Sequence, residues 1–209
     1  MKKIIPYKSS NEALTALDNG GRFYNIFTKA GDGVITQAEI GKVGGLFNNK
    51  QGAVLFLELA TSQLDENAKN SLLAKMEIDM QTSYKKYKPQ KLLASQVKTE
   101  GVLASGAIVT GIPKLVDSKT EMTSFIMVPI TTGNITTFTM IPIYEQYDVY
   151  ELRDEQSSKT FIIAHNKSKT KLPEEKMRVA GIIKELKKGK SKDAKAQLFL
   201  EVLYHADIV

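Results

Sequence analysis

The chain has 209 residues, 42% of them hydrophobic and 25% charged, with a net charge of +6. That is room for one good core or two small domains. It has no cysteine, which excludes a disulfide framework and thiolate metal sites and fits a reducing, cytoplasmic compartment.

The opening, Met1 to Lys8, is basic, but Pro6 and Lys8 interrupt its apolar run, so it does not read as a signal peptide. No apolar run approaches the roughly 20 residues of a membrane helix. Ser9-x-x-Glu12 is a capping-box pattern, and a short helix through Leu14 and Leu17 follows. Asp18-Asn19-Gly20-Gly21 stops it, because paired glycines favour a turn. Phe23, Tyr24 and Phe27 supply the apolar face of a second short helix.

The stretch from Tyr24 to Ile40 then resembles an EF-hand over one helix-loop-helix. Phe27 precedes the loop, and Asp32 falls at its fifth position. Gly33 takes the sharp-turn sixth, Ile35 the apolar eighth and Glu39 the bidentate twelfth. The resemblance implies calcium held by Asp32, Glu39 and the Val34 carbonyl, with Thr28 or Thr36. The sequence departs from the family at Thr28 and Ala30, where Asp or Asn is usual. Calcium takes six to eight oxygens, so this set is thin. The same residues have a metal-free reading, with Asp32-Gly33 as a turn pair and Thr36-x-x-Glu39 as a capping box. No second loop has ligand spacing.

Ala53, Phe56, Leu57, Ala60 and Leu64 recur at helical spacing, and Val54 and Leu55 widen the stripe, which predicts a well-buried helix. Asp65 caps the next helix, expected to run unbroken through Leu72, Leu73, Met76, Met80, Tyr84 and Tyr87. Lys88-Pro89-Gln90-Lys91 reads as a boundary between a helical domain, 1–90, and a strand-rich domain, 91–209.

In the second domain a strand is predicted from Gly101 to Thr110. Next come Phe125 to Ile130 and the near copy Phe138 to Ile143, either side of Gly133-Asn134. With those two residues as a tight turn, Thr132 faces Ile135, Pro129 faces Phe138, Met127 faces Met140 and Phe125 faces Pro142. Both prolines then fall where their missing N–H points away from the partner strand. Both faces of this hairpin are apolar, so Phe125, Met127, Phe138 and Met140 are the candidate interface, with a second domain or a second copy. Further strands are predicted through Tyr147 to Leu152, at Phe161 to Ala164, from Met177 to Ile183 and from Gln197 to His205.

Arg178-Val179-Ala180-Gly181-Ile182-Ile183, a basic loop and Leu198-Phe199-Leu200-Glu201-Val202-Leu203 resemble the opening strands of an OB-fold, with a glycine bulge at Gly181. The fold class expected is therefore α+β, a small helical domain followed by an antiparallel, barrel-like and possibly OB-like domain.

No phosphate-binding glycine loop is present, and neither His165 nor His205 sits in a local nucleophile motif, so an enzyme is the weakest class and no cofactor is expected. Single-stranded nucleic acid is a stronger alternative, through Lys184, Lys187, Lys188, Lys190 and Lys192, although aromatic residues and arginines are missing from that run. The preferred class is a non-catalytic interaction or scaffold protein, with a protein partner or a second copy and no membrane.

Overall fold

A computed structural model describes residues 1–20, 29–46, 49–132, 135–155, 157, 159–167, 171–186 and 197–208; for 117–145, 186 and 197 the backbone alone is described. The expected helix around Phe23, Tyr24 and Phe27 lies outside these residues, as does the turn at Gly133-Asn134.

Helix starts follow their caps. Helix α1 spans Ser10–Leu17, and the Ser9 hydroxyl accepts the Glu12 N–H; the Glu12 carboxylate reaches back to the Lys8 N–H. Helix α2, Gln37–Gly44, has the full capping box of Thr36 and Glu39 and ends at Gly45, whose φ of 77° is the left-handed cap that glycine favours. Helix α3, Lys50–Ala60, is buried at every position from Gly52 to Ala60. Helix α4, Glu66–Ala74, is capped by Asp65 as expected.

The unbroken helix expected beyond Asp65 is two helices, because α5, Ile78–Tyr87, starts afresh. The break is made from outside the segment. Ile35 donates its N–H to the Lys75 carbonyl at 2.8 Å and accepts the Glu77 N–H at 2.9 Å, a parallel bridge at Met76. Met76 keeps helical spacing in the sequence, so periodicity could not reveal the interruption.

After α5 the chain turns to strands: β2 Gln90–Leu93, the helical turn α6 Val97–Glu100, β3 Gly106–Thr132, β4 Ile135–Arg153, β5 Thr160–Asn166, β6 Met177–Leu186 and β7 Gln197–Asp207, joined by β1 Lys2–Lys3. The predicted strand thus begins at Gly106, not Gly101. Val97 of α6 is fully buried instead.

The protein is α+β, but the sheet, seven-stranded among the described residues, is mixed, not antiparallel. β1 pairs with β7, β2 with β3 and β5 with β7 in parallel. The first two are short edge additions fed from the helical half. The third arises because β6 carries the chain across before β7 lies beside β5. The remaining pairs are antiparallel, and pair by pair β3–β4–β5–β7–β6 returns to β3.

Strand alternation divides the core. Ala107, Val109, Val179, Phe161, Ile163 and Leu200 join one buried cluster built from the strands and α6. Ile108, Ala180 and Tyr204 face the other way and join the helical residues Leu55, Phe56 and Leu59. Phe56 and Tyr204 meet with ring centroids 5.9 Å apart, worth about 0.5–1.5 kcal/mol beyond burial. Helices and sheet therefore share one core across the outer face of β3, β6 and β7. Gly181 stands at a register shift, but the extra residue is Leu203 on β7, between Tyr204 opposite Ala180 and Val202 opposite Gly181. A Cβ on Gly181 would come within 2.1 Å of the Glu201 carbonyl oxygen.

Candidate functional site

The EF-hand-like loop is closed by donors of the protein itself. Glu39 is fully buried. Its Oε1 accepts the Gly20 N–H at 2.6 Å, and its Oε2 accepts the Thr36 N–H at 2.8 Å and the Thr36 hydroxyl at 3.0 Å. Asp18, outside the expected ligand set, holds the loop tip: its carboxylate accepts the N–H groups of Gly31 at 2.6 Å, Asp32 at 3.3 Å and Gly33 at 2.8 Å. Asp32 is exposed and accepts the Val34 N–H at 3.0 Å, a local turn. The Lys42 ammonium donates to the carbonyls of Asn19 at 2.8 Å and Gly20 at 3.0 Å, so a side-chain cation already sits on two backbone oxygens of the segment that binds Glu39. Asp32 and Glu39 are thus tied to different donors, and Thr28 lies outside the described residues. No group of three or more potential ligands occurs among the described residues.

The hairpin forms the longest pairing among the described residues. Thr132 pairs with Ile135, Pro129 with Phe138, Met127 with Met140 and Phe125 with Pro142, the register expected from a tight turn. Two bulges on β3, between Leu115 and Asp117 and between Met122 and Ser124, add to its twist. At its base the hairpin is held by β6 along Gly106 to Gly111 and by β5 along Tyr147 to Arg153. From Glu121 to Thr132 and from Ile135 to Glu145 the two strands are each other's only backbone partners among the described residues; at Gln146 the carbonyl already accepts the Lys167 N–H at 2.6 Å. At 3.3 Å per residue this ribbon extends for about 40 Å. Phe125, Met127, Phe138 and Met140 fall on one of its faces by register.

Of the candidate nucleic-acid lysines, Lys184 is ion-paired to Glu201 at 2.6 Å. Lys187, Lys188, Lys190 and Lys192 lie outside the described residues.

The histidines are structural in their surroundings. His165 is fully buried, stacked on Tyr150 at a centroid distance of 5.5 Å, and its Nδ1–H donates to the Asn166 carbonyl at 2.6 Å. Burial pushes both imidazoles below their usual pKa. Asn166 and Asp148 pull His165 the other way without reversing it; at His205 Lys3 adds to the lowering and Asp207 opposes it.

A cleft of about 320 Å³ opens between the C-terminal end of α3 and the sheet. Register builds its floor. Lys91 lies beside Ile108 and Ile108 beside Ala180, while Leu93 lies beside Thr110 and Thr110 beside Arg178. Alternation puts all six on the helix-bearing face. Glu58 of α3 closes the cleft from above and is only 3% exposed. Its Oε1 accepts the Tyr84 hydroxyl. Lys91 Nζ stands 3.1 Å from Oε2 and neutralises it as an ion pair, and no other group reaches that oxygen among the described residues. Burial works to raise the Glu58 pKa, but the Tyr84 hydroxyl and Lys91 outweigh it and hold the carboxyl below its usual range. Sequence reading missed this site. Its signal was a lone glutamate inside the apolar stripe from Ala53 to Ala60.

Against this geometry, no family model matches the chain, and no curated protein matches it significantly.

Proposed function

We propose that the protein is a non-catalytic interaction module, an OB-like barrel body that carries a self-associating β-ribbon. The observation that carries this reading is the ribbon's isolation: about 40 Å of two-stranded pairing with no further backbone partner among the described residues. A lone two-stranded ribbon is marginal in water and needs cover. Its sequence puts Phe, Met and Pro on one face and Ile and Val on the other, with few charges, which suits protein and not phosphate. The occupant is a second copy, because each face is complementary to its own kind and soft methionines adapt to one another. Two ribbons about 10 Å wide, stacked by one face, would bury roughly 800 Å² in total, below a standard specific interface. The association is therefore a weak, reversible one. Sedimentation of wild-type protein and of Met127→Asp with Met140→Asp tests it: the wild type associates, and the variant is a folded monomer.

The circuit of pairings supports a second reading. In OB-folds the loop after the first strand and the loop between the last two flank the face that binds single strands. Those places are taken here by the ribbon and by the β6–β7 connection with Lys187, Lys188, Lys190 and Lys192. Anisotropy of a labelled oligothymidine at low salt separates the readings; on the interaction reading the oligonucleotide stays free.

For the EF-hand-like loop the reading we favour is metal-free, supported by the donors already on Glu39 and by the Lys42 ammonium.

A further inference from the structure

The cleft beneath α3 has the makings of a small-molecule site. Among the described residues, Glu58 Oε2 and Ser62 Oγ are buried without a hydrogen-bond partner, and both residues line it. Beside Glu58 Oε2 stands only the ion-paired Lys91 ammonium, and Ser62 Oγ has nothing, so a ligand hydroxyl can add a bond to each. Arg178 lines the same space, half-buried, and no ion pair or side-chain hydrogen bond occupies its guanidinium among the described residues. A guanidinium fork matches a carboxylate in two-point contact.

The charges choose among ligands. Glu58 and Lys91 already neutralise each other, so the lining of Glu58, Lys91 and Arg178 keeps one positive charge. A zwitterion would leave that charge uncompensated, and a dianion would overshoot it. A monoanion balances it. Leu59, Leu93 and Ile108 supply an apolar wall for a short carbon chain. A volume of about 320 Å³ suits a molecule of modest size.

The geometry points to a binding site for a small hydroxy acid: its carboxylate on Arg178, its hydroxyl donating to Glu58 Oε2 and accepting from Ser62 Oγ. Both ligand groups are needed at once. Arg178 alone would take any carboxylate, and Glu58 with Ser62 alone would take any alcohol.

The test is a set of amide-resolved NMR titrations of the full chain with L-lactate and with gluconate, beside acetate and glycerol, which each lack one of the two groups. At least one hydroxy acid is expected to shift the amide signals of β2, β3 and the end of α3 saturably, at least tenfold more tightly than acetate or glycerol. Arg178→Gln, at a half-buried position, is expected to weaken that binding at least tenfold with the spectrum otherwise intact. Glu58→Gln is expected to narrow the gap between hydroxy acid and acetate. No saturable shift with either hydroxy acid overturns the assignment. So does acetate binding as tightly as both, or binding that survives Arg178→Gln unchanged.

Discussion

Glu39 Oε1 accepts the backbone N–H of Gly20 at 2.6 Å, across 19 positions of sequence. Through that bond the carboxylate at the position of a bidentate calcium ligand joins the end of α1 to the start of α2. Its other oxygen caps α2 through Thr36. Removing it leaves buried N–H donors without acceptors, each costing about 1–3 kcal/mol. Glu39→Ala is therefore expected to lower stability by about 3 kcal/mol in urea unfolding. Thr36→Ala, which loses one cap, costs about 1 kcal/mol. Millimolar calcium is expected to leave the wild-type midpoint unchanged. A micromolar calcium dissociation constant by calorimetry would contradict the metal-free reading.

Gly181 gives a sharper steric prediction. The Glu201 carbonyl oxygen occupies the place of a Cβ at 2.1 Å, and backbone cannot yield as a side-chain tip can. Gly181→Ala is expected to destabilise by about 3 kcal/mol or more, the upper range for overpacking. A thermal midpoint within a degree of wild type would show that the bulge relaxes freely.

Acid sensitivity follows from the two histidines. Both folded-state pKa values lie below the usual imidazole value of about 6.5, chiefly through burial. Above that pH neither folded nor unfolded chain holds the proton, and the histidines contribute no pH dependence. As the pH falls through about 6.5 the unfolded chain protonates first, so stability declines until the depressed folded values are reached. Urea midpoints are expected to drop between pH 7 and pH 5. Replacing His165 or His205 by Gln should make that drop shallower. A slope untouched by either substitution would place the sensitivity elsewhere.

What the sequence made legible was local. The cap at Asp65 and the capping box at Thr36 and Glu39 each lie within four residues, where one side chain and one N–H decide the outcome. The hairpin register was readable because strand alternation and a two-residue turn leave one choice. What stayed hidden depends on distant partners. The break at Met76 is imposed by Ile35, the parallel pairing of β1 with β7 spans nearly the whole chain, and the cleft exists only once Glu58, Lys91 and Arg178 are brought together from three elements. Asp18 was read as a helix stop, and its three loop-tip bonds require the fold of residues 29–33 to be known first.

If the β3–β4 ribbon brings two copies together, sedimentation equilibrium over roughly 1 to 300 micromolar will register it, since that range suits the weak association expected of a small interface. The wild type is expected to shift from monomer toward dimer as concentration rises. Met127→Asp with Met140→Asp is expected to stay monomeric throughout, with a far-UV spectrum and thermal midpoint close to wild type. A wild-type chain that remains monomeric at the highest concentration would contradict association through the ribbon.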